Sequence, residues 1–504
     1  MEKEKETYMK LFGGRSNNNN SQKKGRGSTV STTVTVLFCF VATFCAFAFW
    51  NTSKFAGDSI PSKTNTATPK AQEFPLRCRS GSEACTREYP SSHTPRTNQS
   101  RTCPSYFRWI HEDLTAWREP GITREMLEGA RRTAHMRVVI LDGRVYVENY
   151  RNSIQTRHVF TLWGILQLLR LYPGKVPDLE LLFDCDDRPV IPKQRFQGPN
   201  SQPPPLFRYC SDHWSLDIVF PDWSFWGWAE INIRPWKHVL EDIKNGNKKT
   251  KWKDRVPYAY WKGNPYVAPT RKNLLLCNVT EKNDWNTRLY IQDWVQESNQ
   301  GFKKSNLGDQ CTHRYKIYIE GWAWSVSEKY ILACDSTNLY VRSRFHDFFI
   351  RGMVPLEHYW PIRENSKCTS LKFAVEWGNN HTEKAQAIGE AAGKFIHEDM
   401  DMDYVYDYMF HLLNEYAKLL RFKPTIPRAA VEYCPETMAC AVNGTQRRFM
   451  EESMVMFPSD SNPCTMPPPY DPKALQDFLD KKANSIKQVE TWEDEYWRKK
   501  NKER

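Results

Sequence analysis

Three carboxylates stand together directly after a short apolar segment. Leu179–Phe183 is typical of a buried strand, and Asp184, Asp186 and Asp187 follow it. Open α/β sheets bind their ligands at the carboxyl ends of their strands. A carboxylate there can take a proton from an attacking hydroxyl, and the spacing of Asp184 and Asp186 can also hold a divalent ion against a diphosphate. A solvated turn before Pro189 is the third interpretation.

A second stretch has the pattern of a nucleotide-binding unit. Tyr315–Glu320 alternates bulky and polar side chains, as strands do, and Gly321 interrupts that pattern. Ser325 suits the N-cap of a helix over Val326–Cys334, and Asn338–Arg342 predicts the next strand. Strand, glycine turn, helix and strand form one unit of a nucleotide-binding α/β layer. The N-terminus of such a helix can hold a phosphate, although a scaffold unit without a ligand has the same pattern.

Two further segments carry side chains suited to phosphates or sugars. Val256–Trp261 predicts a strand, and a loop containing Gly and Pro follows it before Arg271. Arginine makes bidentate contacts with phosphate, so Arg271 can neutralise a leaving diphosphate; a surface arginine is the alternative. The loop Pro221–Trp228 contains four aromatic side chains, too many for a solvent-facing turn. These side chains line either the core or a sugar-binding cleft.

The elements around these segments indicate an α/β protein. Met136–Glu148 predicts a hairpin, because an Asp-Gly pair at 142–143 supplies the positive φ values of a tight turn. His158–Leu171 predicts a helix, and Ser215–Phe220 predicts a strand. Strands that alternate with helices indicate α/β layers, and the length of the chain favours two of them. The basic segment Asn245–Lys253 predicts a linker between two lobes.

The N-terminal segments predict a membrane anchor. Residues 1–28 are polar and basic and predict a cytosolic tail. Val30–Trp50 has no charged residue and is long enough to span a bilayer, so we assign 29–50 to a transmembrane signal-anchor. Basic residues before it place the N-terminus in the cytosol and the rest in the lumen; a cleaved signal peptide is the alternative. Residues 51–101, rich in Ser, Thr and Pro, predict a flexible stem.

Cysteines and glycosylation sequons agree with a lumenal chain. Of fourteen cysteines, Cys39 and Cys45 lie in the apolar run, which leaves twelve beyond it. An even number in an oxidising compartment predicts disulfides, with buried free thiols as the alternative. Cys78 and Cys85 are expected to close a small loop. The sequons lie at Asn98, Asn278, Asn380 and Asn443. The net charge of +12 is partly due to basic residues at the two ends, and a lumenal chain is not expected to bind nucleic acid.

Four blocks in order resemble the Rumi/CAP10-domain glycosyltransferases, the protein O-glucosyltransferase-like group. The blocks are 179–189, 217–226, 259–271 and 311–329, within a resemblance that covers 103–422. The resemblance implies a GT-B type fold of two Rossmann-like lobes, which we assign to 102–250 and 251–422, with a C-terminal extension over 423–504. It also implies a UDP-sugar in the cleft between the lobes, no metal, and inversion at the anomeric carbon.

The resemblance assigns roles residue by residue. The family's catalytic base, in an Asp-x-Pro motif, falls on Asp187. The aromatic run that meets acceptor and donor falls on Trp223, Phe225 and Trp226. The family's nucleotide-binding residues fall on Asn264, Arg271, Gly321, Trp322, Ala323, Trp324, Ser325, Val326, Ser327 and Lys329.

Three positions depart from the family pattern. Ser327 stands where the family has an arginine, so one diphosphate contact is missing or is replaced by Lys329 or Lys262. Glu320 replaces an arginine before the glycine, and Arg188 replaces an aromatic residue beside the base. These departures bear on the donor sugar and the acceptor more than on the fold.

Three functions are consistent with these residues. The first is an inverting transfer of glucose or xylose from a UDP-sugar to a hydroxyl of a secretory-pathway protein or of a polysaccharide. The second is a metal-dependent transfer that uses Asp184 and Asp186. The third is a lumenal carbohydrate-binding protein of the same fold without catalysis. The anchor and the stem, with no Lys-Asp-Glu-Leu ending, favour a single-pass type II protein of the Golgi membrane over the endoplasmic reticulum.

Overall fold

The structure, a computed structural model, describes residues 73–78, 85, 91–97, 101–198 and 201–503. These residues belong to one compact unit. The predicted cytosolic tail and signal-anchor, and residues 51–72 of the predicted stem, lie outside the described residues. Within the described ranges, no helix has both the length and the apolar character that crossing a bilayer requires.

The strands form two larger sheets and one short ribbon. In chain order they are β1 (Met136–Leu141), β2 (Arg144–Asn149), β3 (Leu179–Phe183), β4 (Phe207–Arg208), β5 (Ser211–Asp212), β6 (Ile218–Val219), β7 (Val256–Gly263), β8 (Thr287–Ile291), β9 (His313–Tyr318), β10 (Thr337–Val341), β11 (Phe345–His346), β12 (Trp360–Ile362) and β13 (Val431–Tyr433). The first sheet has the order β13-β2-β1-β3-β4-β6, the second has the order β12-β10-β9-β7-β8, and β5 pairs with β11.

Helices connect and cover these strands. In chain order they are α1 (Trp109–Asp113), α2 (Thr115–Arg118), α3 (Arg124–Gly129), α4 (Arg157–Leu171), α5 (Trp236–Lys249), α6 (Pro269–Leu274), α7 (Trp294–Asn299), α8 (Ser327–Leu332), α9 (Lys367–Asn380), α10 (Thr382–Asp399), α11 (Met402–Leu419), α12 (Pro435–Ala439), α13 (Gly444–Glu452) and α14 (Pro472–Lys502). The prediction of an α/β fold with parallel strands is therefore confirmed.

The first sheet is mixed. A tight turn at Asp142 and Gly143, both with positive φ, makes β2 the antiparallel neighbour of β1. β1 is also antiparallel to β3, whereas β3, β4 and β6 are parallel to one another. All five residues of β3 are buried, and Asp184 and Cys185 after it are buried as well, so Asp186 and Asp187 leave the core at a fixed place.

The second sheet is entirely parallel and doubly wound. The chain moves from β7 outward to β8, and then returns to the other side of β7 for β9, β10 and β12. The order of the strands therefore reverses between β7 and β9. Connections leave a crevice beside the carboxyl ends of two such strands, and ligands of open α/β sheets bind there. The segments that follow Gly263 and Tyr318 border this crevice.

Alternating side chains of β9 separate two apolar cores. Tyr315 and Ile317 lie in the core between the second sheet and the helices α9 and α10. Tyr318 belongs to the larger core, which also holds the first sheet and the helices α4, α5 and α11. Helix α11 returns to the first sheet, where Tyr416 Oη donates a hydrogen bond to the Glu180 carbonyl at 3.0 Å.

Several predicted elements differ from the observed ones. The strand predicted over Ser215–Phe220 is only two residues long, because Asp217 turns inward and accepts hydrogen bonds from the N–H groups of Val190 and Ile191. The segment Asn245–Lys253 is not a linker at its start, since α5 continues to Lys249.

Five disulfides link the described cysteines. The pairs are Cys78–Cys440, Cys85–Cys434, Cys103–Cys464, Cys277–Cys368 and Cys311–Cys334, and Cys185 and Cys210 are buried free thiols. Disulfides are thus confirmed, but the predicted loop between Cys78 and Cys85 is wrong. Both cysteines bind the C-terminal extension, and described residues near them contact it as well: Phe74 N–H donates to the Met456 carbonyl at 2.8 Å, and Thr97 N–H donates to the Asp460 carbonyl at 3.1 Å. The described residues 73–78 and 91–97 of the predicted stem are therefore anchored, not flexible.

Candidate active site

A cleft lies where the crevice of the second sheet faces loops of the first sheet. Its first-sheet wall includes Arg157, Asp187 and Trp223, which follow β2, β3 and β6. Its second-sheet wall includes Arg271 and Ser325, which follow β7 and β9. The same cleft therefore joins the predicted base to the predicted diphosphate contacts.

Asp187 is held by an arginine that the sequence analysis did not identify. Asp187 Oδ1 accepts a hydrogen bond from Arg157 Nη1 at 2.6 Å, and the same nitrogen donates to the Cys185 carbonyl at 3.1 Å. The Arg157 guanidinium also stacks on Trp223, with Cζ 4.4 Å from the ring centroid. Because one carboxylate oxygen is oriented in this way, Asp187 Oδ2, which has no hydrogen bond to a described residue, can accept a proton from a ligand hydroxyl.

Asp184 is part of a buried ionic network beneath the cleft. Its carboxylate pairs with Arg208, lies 2.9 Å from His135 Nδ1 and lies 3.2 Å from Arg151 Nη2. Burial alone would raise the pKa of Asp184, but the hydrogen bond to His135 and the charge of Arg208 outweigh burial and lower it. Asp184 is therefore an ionised structural group.

The same network bears on a metal site. His135, Asp184 and Asp186 bring ligand atoms within 4.8 Å of one another, which is close enough to hold an ion. However, Arg208 and Arg151 already occupy the oxygens of Asp184, and Arg151 Nη2 lies 3.3 Å from Asp186 Oδ2. Two guanidinium groups on these carboxylates disfavour a further cation. Neither aspartate is among the residues that line the cleft.

Arg271 joins the ends of β7 and β9. Its Nε donates to the Glu320 carbonyl at 3.0 Å, and its Nη1 donates to the Asn264 carbonyl at 3.4 Å. Its Nη2 donates to Ser325 Oγ at 2.8 Å, and Ser325 Oγ lies 2.8 Å from Ser327 Oγ. The second-sheet wall therefore presents one guanidinium and two hydroxyls side by side. These groups can bind and neutralise a diphosphate.

The helix after this wall begins later than predicted. α8 starts at Ser327, the residue at its cap position is Val326, and no side chain caps it. Ser325 is not the N-cap because its hydroxyl is bound to Arg271 and Ser327 instead. The helix has only six residues. Val326 and Ser327 at its start line the cleft, but the polar groups there that could bind a ligand are the side chains of Arg271, Ser325 and Ser327.

The chain matches a known family over most of its length. Residues 98–493 match the profile of glycosyl transferase family 90. The chain belongs to glycosyl transferase family 90. It is 26% identical over 356 residues to human protein O-glucosyltransferase 1, and this match covers 67% of this chain and 86% of that protein. It is 22% identical over 367 residues to O-glucosyltransferase rumi of Drosophila melanogaster, covering 70% of this chain and 85% of that protein. The predicted resemblance is therefore confirmed.

Most of the predicted nucleotide-binding residues of this family 90 chain line the cleft. They are Asn264, Arg271, Gly321, Trp322, Trp324, Ser325, Val326 and Ser327. Ala323 is buried and does not line it, but its carbonyl accepts a hydrogen bond from Gly321 N–H at 2.8 Å and so shapes the turn.

Lys329 lies outside the cleft. Its Nζ forms a buried ion pair with Asp222 Oδ2 at 2.8 Å and lies 4.6 Å from the centroid of the Phe225 ring. Burial alone would lower the pKa of Lys329, but the charge of Asp222 outweighs burial and raises it. Lys329 therefore connects α8 to the loop after β6. It does not replace the arginine that is absent at Ser327.

Only one of the three predicted substrate-binding aromatics reaches the cleft. Trp223 lines it, whereas Phe225 and Trp226 are buried in the larger core. Phe225 packs edge-on against Trp236 and Phe348, and Trp226 Nε1 donates to Tyr406 Oη at 3.0 Å. Most of the aromatic run is therefore core.

The other departures from the family pattern have visible roles. Arg188 stacks on Trp322 across the cleft mouth, with Cζ 3.8 Å from the ring centroid, and its Nε donates to the Trp322 carbonyl at 3.0 Å. Glu320 Oε2 accepts hydrogen bonds from Ser343 Oγ at 2.8 Å and from Arg344 N–H at 2.9 Å. Glu320 therefore holds the loop after β10 and does not face the ligand.

Several residues that line the cleft were not identified from the sequence. They are Gln155, Arg157, Tyr260, Gln292, Gln310 and Lys316. Only Lys316 carried a usable signal, since a lysine within an apolar strand of a nucleotide-binding unit is unusual. Tyr260 lies within β7, and the others lie in loops or at a helix start; only the tertiary fold brings them together at the cleft.

Proposed function

We propose that this chain is an inverting glycosyltransferase that moves a sugar from a UDP-sugar to an acceptor hydroxyl, with Asp187 as the general base. The observation that carries the proposal is the shared cleft. Asp187 stands on its first-sheet wall, and Arg271, Ser325 and Ser327 stand on its second-sheet wall. Two α/β sheets with a cleft between them support a GT-B type arrangement of two Rossmann-like lobes.

The proposed reaction uses both walls. Asp187 Oδ2 takes the proton of the acceptor hydroxyl, whose oxygen attacks the anomeric carbon. The bond from that carbon to the diphosphate oxygen breaks, and UDP leaves with the electron pair. The charge that develops on the diphosphate is stabilised by Arg271 and by the hydroxyls of Ser325 and Ser327. Attack from the side opposite the leaving group inverts the anomeric centre.

Glucose is the donor sugar that the relatives favour, since those named above are called O-glucosyltransferases. Xylose, which lacks one hydroxymethyl group, is the second candidate. The acceptor is a hydroxyl of a secretory-pathway protein or glycan. The proposed location is the lumen of the Golgi, with the chain held in the membrane by 29–50. The five disulfides support an oxidising compartment.

We propose that the transfer requires no metal ion, because Asp184 is neutralised by arginine and does not reach the cleft. Activity should therefore be unchanged in excess EDTA. A loss of transfer in EDTA that Mg²⁺ or Mn²⁺ restores would instead support a metal-dependent enzyme that uses Asp184 and Asp186.

A carbohydrate-binding protein without catalysis is the second candidate. One observation favours it: Ser327 stands in place of an arginine, and Lys329 is bound to Asp222. Lys262, the other lysine named above as a replacement for that arginine, lines the cleft, with Nζ 2.6 Å from the Lys304 carbonyl.

A panel of UDP-sugars tests the two candidates. The full-length chain is incubated with UDP-glucose, UDP-xylose, UDP-galactose and UDP-N-acetylglucosamine, and release of UDP is measured. An active enzyme hydrolyses its own donor slowly in the absence of acceptor, so we expect UDP release from UDP-glucose or UDP-xylose above that from the others. Sugar binding without UDP release from any donor, combined with no affinity for UDP, would support the binding protein.

A further inference from the structure

Lys316 is a buried cation on the wall of the cleft. It lies in β9, where Tyr315 and Ile317 point into one core and Lys316 points to the opposite face, toward Tyr260. Its side chain is almost completely buried, and it is among the residues that line the cleft. Lys316 Nζ has one hydrogen bond to a described residue, to the disulfide sulfur Cys334 Sγ at 3.3 Å. Sulfur is a weak acceptor, so the ammonium has three donors and little to bind.

The surroundings of Lys316 supply no negative charge. In the described part of the chain, no carboxylate lies within ion-pair distance of Lys316 Nζ. Burial, together with repulsion from Arg255, lowers the pKa of Lys316 to about 7. The neighbouring His313 is uncharged at neutral pH, since burial lowers its pKa to about 4. A buried ammonium is stabilised where oxygen atoms approach it, and Lys316 lines the cleft, from which a ligand oxygen can do so.

The adjoining wall suits a flat, polar ring. The centroid of the Tyr260 ring lies 5.8 Å from Lys316 Nζ, and Leu307 and Ile331 add apolar surface. Gln292 is buried and its Nε2 donates to Ser305 Oγ at 3.2 Å, so its amide is oriented. Gln292 Oε1 accepts no hydrogen bond from a described residue. The wall therefore offers a lysine amine, which only donates hydrogen bonds when it is protonated, and an amide oxygen beside aromatic and aliphatic surface.

We propose that Lys316 recognises the base of the nucleotide-sugar donor by donating a hydrogen bond to a carbonyl oxygen of a keto pyrimidine. This inference rests on the proposed function and adds the residue that selects the base. Uracil presents carbonyl oxygens to Lys316 and an N–H to an acceptor such as Gln292 Oε1. Cytosine presents an amino group in place of the carbonyl at C4. In its protonated form, which predominates below pH 7, Lys316 cannot accept a hydrogen bond from that amino group, so both groups would be left unpaired.

Binding measurements with UDP and CDP test the proposal. Isothermal titration calorimetry of the full-length chain at pH 6, where Lys316 is mostly protonated, should show tighter binding of UDP than of CDP, by about 10-fold or more, because a site with unpaired buried donors rejects the wrong base strongly. Lys316→Met should lower the affinity for UDP by about 10-fold and bring the UDP-to-CDP ratio below about 3. Equal affinities of the unmodified chain for UDP and CDP would overturn the proposal.

Two further variants, Lys262→Met and Lys316→Gln, test whether the effect is specific to the base. Lys262→Met removes a cation from the same wall without changing the base subsite, so it should weaken UDP and CDP by the same factor and leave their ratio unchanged. Lys316→Gln keeps a polar group whose amide can donate or accept; if Lys316→Met does not fold, Lys316→Gln should still bind UDP and should bind CDP better than the unmodified chain does. An unchanged ratio in the Lys316 variants would overturn the proposal.

Binding of inorganic pyrophosphate distinguishes a failure of the base assignment from a failure of the proposed function. It carries the diphosphate without a base, so its affinity should be the same for Lys316→Met and the unmodified chain. A loss of pyrophosphate binding in Lys316→Met would overturn the base assignment in favour of a diphosphate contact. If UDP, CDP and pyrophosphate all fail to bind the unmodified chain, the proposed function itself is contradicted, whereas UDP binding that does not depend on Lys316 contradicts only this inference.

Discussion

Asp187 differs from its two neighbouring aspartates because of the partners that each one has. Asp184 is surrounded by Arg208, His135 and Arg151, so its carboxylate is fully engaged inside the protein. Asp187 lines the cleft and has an arginine partner on one oxygen, while its other oxygen has no hydrogen bond to a described residue. The different roles of these aspartates follow from their tertiary contacts, so they could not be predicted from the sequence alone.

Arg157 is a positioning residue for Asp187, the proposed base. Arg157→Gln removes the charge and the ion pair that orients Asp187 Oδ1. We expect kcat to fall by about 10- to 100-fold, because small displacements of a catalytic group are costly, while KM for the donor changes by less than about 2-fold. Steady-state kinetics measure both constants. Arg157→Lys should recover part of kcat, and a variant that loses donor affinity to the same extent as kcat would contradict a positioning role.

At the scale of elements, buried strands were the most predictable part of the fold. The strands at Leu179–Phe183 and Val256–Gly263 were recognisable because apolar runs and alternation mark buried strands. The start of α8 was not predictable, since Ser325 has the chemistry of an N-cap but is bound by Arg271, which lies 54 residues away in the chain. Trp223 and Trp226 likewise belong to one aromatic run in the sequence. Only the contact of Trp226 with Tyr406 of α11 shows that Trp226 is buried while Trp223 reaches the cleft.

The loop that carries Asp187 is tied to the loop after β9 by Arg188 and Trp322. Trp322→Leu removes the stacked ring and should loosen this contact by about 0.5–1 kcal/mol. We expect more hydrolysis of the donor relative to transfer, because water enters a less closed cleft more easily. Trp214→Leu is the matched control: Trp214 is exposed and also stacks on an arginine, Arg344, but does not line the cleft. An equal ratio of hydrolysis to transfer in both variants would contradict this role.

The loop between β11 and β12 contains a buried acid with a pH-dependent effect on stability. Asp347 is completely enclosed near Glu328 of α8, and burial raises the pKa of Asp347 to about 7. An unfolded aspartate titrates near about pH 4, so the folded protein holds the extra proton between about pH 4 and 7. Stability therefore falls as pH rises through this interval, and the whole penalty is present above the folded pKa.

Asp347→Asn should remove this penalty. The amide oxygen can still accept the hydrogen bonds from the N–H groups of Phe349 and Ile350. We measure the stability of the variant minus that of the unmodified protein. This difference should be larger at pH 8 than at pH 5 by about 1 kcal/mol or more. Urea unfolding at both pH values measures this difference, with the exposed Asp477→Asn as control. A difference that is the same at the two pH values would be inconsistent with the titration of Asp347.

At the scale of the whole molecule, both ends of the described chain close over the two sheets. β13 pairs with β2 of the first sheet, and Val489 of α14 packs in the core of the second sheet. Three disulfides join the segment 73–103 to the C-terminal extension. The boundaries proposed at 250 and 422 stay predictions, but the extension after 422 is part of the packed unit.

A chain that spans 73–422 should therefore not fold. It lacks β13, the helices from α12 to α14, and three half-cystines. We expect no cooperative thermal transition, because removed core contacts and disulfides each cost several kcal/mol. A chain spanning 73–504 keeps all of these contacts and should unfold cooperatively. If the shorter chain unfolds within about 5 °C of the longer one, the extension is not required for stability.

The proposed function depends on Asp187 as the general base, and Asp187→Asn tests this role most directly. Transfer of sugar and affinity for UDP are measured on the same preparation, with Asp186→Asn as the control, since Asp186 does not line the cleft. We predict that Asp187→Asn lowers transfer by about 10²- to 10⁴-fold, as expected for the loss of a general base, and changes UDP affinity by less than about 2-fold, while Asp186→Asn transfers normally. Normal transfer by Asp187→Asn would contradict the account.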